Sequence, residues 1–190
     1  MSARSPRSAL RRFLDRAIRD DRGAAAVEFG LILPVLVLLY AVGFEVCEAA
    51  TVKRKLTDTT VELANLTSQY TKVAKSDIST VMNASSQTMT PFSNSALGIV
   101  MSEVTVDSTG KATVTWSEAY QNGVAFTGTP ITTAPVAPAS FATANSSYIV
   151  VQSTYAYTPV VAGNLVAPMT LTSQSFMLPR NSGAIPCSDC

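Results

Sequence analysis

The sequence predicts an α+β fold: a long N-terminal helix, half of it suited to a membrane, packed on a small antiparallel sheet. Three observations lead there. Residues 24–44 are almost wholly apolar, residues 49–73 repeat apolar side chains at a helical period, and four later segments alternate apolar with polar residues.

The apolar run, Ala24 to Phe44, is broken only by Glu28, Gly30, Pro34 and Gly43. As a helix it is about 31 Å long, close to the ~30 Å of a bilayer's hydrocarbon core. It lacks the polar stripe of a soluble surface helix. Residues 1–23 hold seven arginines and three aspartates, a local charge of +4, while the rest of the chain carries −3. Basic residues on the N-terminal side place 1–23 in the cytoplasm and everything beyond residue 44 outside it. A secretory signal peptide fits poorly, because its apolar region is shorter and Cys47-Glu48-Ala49 is a weak cleavage site. Phe44-Glu45-Val46 likewise disfavour a lipoprotein site at Cys47.

Charged residues make up 14% of the chain, below the roughly 25% of soluble domains. No histidine occurs, which removes the commonest general base and zinc ligand. Gly-rich phosphate loops, Gly-x-Ser-x-Gly elbows and paired Cys-x-x-Cys zinc patterns are missing too. The chain therefore reads as a non-enzyme without catalytic residues, cofactor, metal or nucleic-acid partner.

Beyond the membrane segment the helix is expected to continue over residues 45–86. Ala49, Leu56, Leu63 and Tyr70 recur every seven residues, with Val52, Thr59, Leu66 and Val73 three positions later. Packing within the chain's own domain is the favoured use of this stripe, and contact with neighbouring helices is the alternative. Glu45 and Glu48, followed by Lys53, Arg54 and Lys55, read as a headgroup and helix-surface charge pattern.

Residues 87–190 form the expected β-rich domain. Ile99–Val106 and Lys111–Ser117 make a hairpin around Asp107-Ser-Thr-Gly110; Ser147–Tyr157 and Met169–Leu178 add two strands. The Thr/Ala/Pro-rich stretch 127–146 reads as a long surface loop. Cys187 and Cys190 lie outside the cytoplasm, where an oxidising compartment favours a disulfide between them. Cys47 reads as a small buried residue or an intermolecular contact, and its pairing stays open.

The junction Arg22-Gly23-Ala24-Ala25-Ala26-Val27-Glu28-Phe29 is the informative stretch. A carboxylate within a membrane helix costs energy, less near the boundary than at the centre. Glu28 sits one turn inside that boundary, either tolerated there beside Arg22 or headgroups, or used by a partner. Gly23, the small Ala24, and Glu28 with Phe29 resemble a prepilin-peptidase site of type IV-type pilins. The following Gly30-Leu-Ile-Leu-Pro34 run resembles the TadE-like minor pseudopilins of the tight-adherence (Tad/Flp) pilus system. The likeness is close over 22–45 and weaker at Tyr155-Ala-Tyr157-Thr-Pro159 and Leu171–Arg180.

The resemblance implies a pilin-like fold and a structural role in initiation, tip or assembly of an adhesive pilus. It implies a cytoplasmic leader, residues 1–23, cleaved between Gly23 and Ala24 by a membrane aspartic peptidase. It implies that the new Ala24 amine pairs with Glu28 of a neighbour, setting register. The implied partners are other pilin and pseudopilin subunits, the prepilin peptidase, the inner-membrane assembly platform and membrane lipid. The implied location is the bacterial inner membrane, single pass, with the later domain periplasmic or carried into an extracellular pilus. Pro34 removes one helical hydrogen bond and crowds the Gly30 carbonyl, so a kink is expected there.

Two other readings remain. One is an unprocessed single-pass envelope protein whose outer domain binds a ligand or polysaccharide. The other, a tethered enzyme, would need Glu103, Asp107, Glu118 and Tyr120 to converge; solvated strand ends explain them more simply.

Overall fold

The computed structural model describes residues 21–161, 163, 165–181 and 183–190, with side chains from residue 23 onward. The expected leader lies largely outside these residues. The chain forms two compact units that divide between Phe44 and Glu45, at the expected end of the membrane segment.

Helix α1 spans Asp21–Thr67. In the first unit its apolar side chains are exposed, Leu31 by 72% and Leu39 by 70%. Helical assignment runs through Pro34 without a break. In the second unit the seven-residue stripe turns inward: Val52, Leu56, Thr59 and Leu63 are fully buried, and Ala49, Leu66 and Tyr70 pack against the same core. The stripe thus serves its own domain.

The helix expected to continue to residue 86 stops at Thr67. Three features end it. Ser68 turns its hydroxyl back to the Asn65 carbonyl at 2.7 Å. The amides of Gln69 and Tyr70 bond three residues back, to Leu66 and Thr67, both at 3.2 Å, the tighter turn that closes many helices. Val73 then gives its backbone to a distant segment: its N–H donates to Pro186 O and its carbonyl accepts from Ser188 N–H, both at 3.0 Å. A second helix, α2, spans Lys75–Ser86. Asp77 accepts from Ala74 N–H at 3.0 Å and Asp189 from Lys75 N–H at 2.8 Å, which satisfies two amides at its start.

The sheet has five strands rather than about four: β1 Leu97–Val106, β2 Ala112–Gln121, β3 Val124–Ala125, β4 Ser146–Tyr157 and β5 Met169–Met177. Their order is β3-β2-β1-β4-β5, each neighbour antiparallel. Asp107 organises the first turn by accepting from Thr109 and Lys111 N–H at 2.8 and 2.9 Å. Asn122 and Gly123 both take positive φ between β2 and β3, as a two-residue hairpin loop demands.

One sheet face meets the helices through Leu97, Ile99, Met101, Trp116, Tyr120, Ile149, Val151, Tyr155 and Tyr157. The opposite face carries a second cluster, Val104, Val106, Tyr148 and Val150, covered by Ile131, Ala134, Ala137 and Phe141. The long loop is therefore a lid on half of that face. Phe141, Tyr148 and Phe176 form a ring triad with centroids 5.7–6.5 Å apart.

Candidate functional site

Gly23, Ala24, Glu28 and Phe29 lie in the opening turns of α1, all exposed. A Cβ built on Gly23 meets nothing within 4 Å, so glycine is not needed there for packing. Ala24 and Glu28 are four residues apart, on one face and about 6 Å along the axis. Phe29 is 60% exposed. The apolar window of this helix is unburied, and among the described residues α1 is the one helix long and apolar enough to cross a membrane.

At the start of the second unit, Glu45 departs from its expected role. It is 1% exposed, not a headgroup-facing charge. Its carboxylate accepts from Tyr157 O–H at 2.6 Å and from Val161 N–H. Glu48 lies 3.5 Å from the same hydroxyl. Burial, and then the Glu45 carboxylate beside it, hold the Tyr157 hydroxyl well above its usual pKa, so it stays protonated and donates. Tyr157 was visible in the sequence within the Tyr-x-Tyr-x-Pro stretch; its partner was not. Cys47 is an exposed free thiol, not a buried small residue.

The four residues set aside as an enzyme alternative are not solvated strand ends, Asp107 excepted. Glu103 is fully buried, and Glu118 and Tyr120 are nearly so. Glu103 Oε1 accepts from Ile185 N–H at 2.5 Å, and Ser147 and Trp116 lie beside the carboxylate; Oε2 has no close hydrogen-bond partner among the described residues. Burial pushes the Glu103 carboxyl above its ordinary pKa, against the opposing pull of its hydrogen bonds. Trp116 donates its indole N–H to Ile185 O at 2.8 Å. Glu118 pairs with Lys75 at 3.4 Å. Both carboxylates thus hold structure: Glu103 grips the segment at Ile185, and Glu118 anchors the start of α2.

That segment also contains Cys187 and Cys190, whose Cα atoms are 5.7 Å apart with the sulfurs facing each other, a separation a disulfide spans. Cys187, Asp189 and Cys190 form the one grouping of candidate metal ligands among the described residues, their ligand atoms within 4.8 Å of one another. Pairing of the two sulfurs uses two of the three, so the grouping reads as a disulfide loop.

The family model described as TadE-like protein matches residues 23–64. The match starts on Gly23 and covers the apolar helix and most of the buried stripe. TadE-like proteins are structural components of the Tad pilus system rather than a family of enzymes. No match was found among curated proteins or among solved structures.

Proposed function

We propose that this chain, TadE-like across residues 23–64, is a minor pseudopilin of a Tad/Flp adhesive pilus, matured by prepilin-peptidase cleavage between Gly23 and Ala24. The observation that carries the reading is the meeting of three features at one junction. These are the start of the family match, the Gly23-to-Glu28 spacing, and a helix segment whose apolar side chains are exposed among the described residues. Such a surface suits lipid before assembly and neighbouring helices after it.

The Gly23–Ala24 peptide lies within the described span of helix α1, Asp21–Thr67, and must unwind to enter a peptidase cleft. Glycine favours that step, being about 1 kcal/mol less helix-stable than alanine and free of a side chain. Cleavage leaves an amine at Ala24, at the positive end of the helix dipole, where a carboxylate partner offsets unfavourable charge. Glu28 of a neighbouring subunit supplies it and sets register. The peptidase, the assembly platform, other pilin subunits and membrane lipid are the partners. The later domain stands on the periplasmic side, or outside the cell once assembled.

N-terminal sequencing of the protein recovered from membranes and sheared pili tests this reading. A start at Ala24 is expected. Retention of residues 1–23 would instead support the unprocessed envelope protein. Glu28→Gln keeps shape and removes charge; pili that incorporate it as well as wild type would sink the register role.

A further inference from the structure

Residues 183–190 are held in two different ways. The first part is held by the sheet. Ser147 donates its hydroxyl to the Gly183 carbonyl. Ile185 is fully buried. Its N–H donates to Glu103 Oε1 at 2.5 Å, and its carbonyl accepts from the Trp116 indole at 2.8 Å.

Beyond Ile185 the partners change. Pro186 O accepts from Val73 N–H, and Ser188 N–H donates to the Val73 carbonyl, both at 3.0 Å. Asp189 Oδ1 accepts from the N–H of Lys75, the first residue of α2, at 2.8 Å. Pro186, Ser188, Asp189 and Cys190 are exposed, and Cys187 is half-buried. Hydrogen bonds on a segment with so little buried apolar surface make a unit that opens without the rest of the fold. The pairing of Cys187 with Cys190 opposes that opening. It closes a loop around Asp189 and removes conformations from the detached tail, as it does from an unfolded chain. By loop entropy, two free thiols raise the population of the detached state about 20-fold.

The start of α2 depends on this tail. That helix has 12 residues, a length at which a helix is marginal on its own. The amides of its first turn need acceptors from outside the helix ladder. Asp77 serves Ala74 N–H from within the helix, whereas the acceptor for Lys75 N–H, Asp189, arrives only with the closed tail. The Asp189 carboxylate also complements the positive end of the helix dipole.

We propose that the Cys187–Cys190 disulfide is a redox-operated clasp: a dithiol that reduces it releases residues 186–190 and uncaps the first turn of α2, while Ile185 stays seated against the sheet. The inference goes beyond the pseudopilin reading and does not rest on it. Cys190 is the more exposed sulfur, so a thiolate of the dithiol attacks Cys190 Sγ, the bond between the two cysteines breaks, and Cys187 leaves as a thiolate. Asp189 Oδ1 lies 3.7 Å from Cys187 Sγ, a like charge that favours uptake of a proton there. The second thiol of the reagent then closes on the first, displaces Cys190, and the reagent departs as its own disulfide. In sum, two electrons and two protons pass to the chain.

Hydrogen exchange on the detergent-solubilised full chain tests this. A Cys47→Ser background keeps the exposed third thiol out of the exchange. Rates are read at Lys75, Ser188 and Ile185, first oxidised and then with dithiothreitol. Reduction should speed exchange about 20-fold at Lys75 and Ser188 and change Ile185 and β4 less than about twofold. C187S and C190S combined should give the fast rates with or without dithiothreitol; should that variant fail to fold, the reduced cysteines carry the same comparison. Asp189→Ala should speed Lys75 while the disulfide is intact. The proposal is overturned if dithiothreitol leaves Lys75 and Ser188 at their oxidised rates, or if Asp189→Ala leaves Lys75 unchanged. It is equally overturned if Ile185 and β4 speed up together with the tail, because the tail is then not a separate unit. N-terminal sequencing of the mature chain reports on the pseudopilin reading independently of these rates.

Discussion

Replacing Tyr157 with phenylalanine removes a single oxygen from the contact between β4 and the first turn of the second unit. Glu45 is 1% exposed, and its Oε2 takes the Tyr157 hydroxyl at 2.6 Å. A hydrogen bond to a buried charged group is worth about 1.5–3 kcal/mol. In a chain of this size 1 kcal/mol moves the melting temperature by roughly 2–4 °C, so Tyr157→Phe should lower it by roughly 3–12 °C. Glu45→Ala leaves two donors without an acceptor, Tyr157 O–H and Val161 N–H, at about 1–3 kcal/mol each. It should cost more than Tyr157→Phe. The double variant should lose less than the two single losses combined, with a coupling of about 1.5–3 kcal/mol. The assay is circular-dichroism melting of the detergent-solubilised full chain at neutral pH. Melting within ~1 °C of wild type for both single variants, or a coupling below ~0.5 kcal/mol, would refute the reasoning.

Three further outcomes follow from other parts of the molecule. Glu103 has a raised folded-state pKa because it is buried, so its contribution to stability is fully present below about pH 4.5 and is lost as pH rises through the folded value. Urea titrations over that window should show wild type losing stability with rising pH and Glu103→Gln losing less; parallel curves would be the contrary result. Closing the four-residue loop between Cys187 and Cys190 contributes about 2 kcal/mol by loop entropy. Cys187→Ser should therefore melt roughly 4–8 °C lower, and reductant should shift wild type but not the variant. Gly23→Val stiffens and crowds the opening turn at the cleavage site, so the chain should accumulate at precursor size on immunoblots. Normal processing of that variant would count against cleavage at Gly23.

The parts of the fold that repeat locally were legible in the sequence. The 21-residue apolar run, the seven-residue stripe and the alternation in four strands each depend on near neighbours, and each appears within a few residues of its expected bounds. The Asp107 turn was legible for the same reason. The end of α1 at Thr67 was not, because residues 68–73 contain no glycine or proline and the competing partner of Val73 lies over a hundred positions away. The carboxylates failed similarly. Glu45 and Glu103 look like surface charges beside their sequence neighbours, yet Tyr157 is 112 positions from the first and Ile185 82 positions from the second. The hairpin at Asn122-Gly123 does carry a local signal, a two-residue turn pair with positive φ after an alternating strand. At the Gly23–Glu28 junction, residue types and spacing were the whole signal, since both residues are exposed among the described residues.

Core closure also has an order in time. Synthesis delivers Val52, Leu56 and Leu63 about a hundred residues before Val151, Tyr155 and Tyr157, which cover them. At roughly 5–20 residues per second, that stripe waits about 5–20 s without its partners. During this interval the newborn helix is an amphipathic surface directly following a membrane-seeking segment. Until those strands arrive the stripe has no sheet to pack on, so the core of the second unit closes only once β4 has been made.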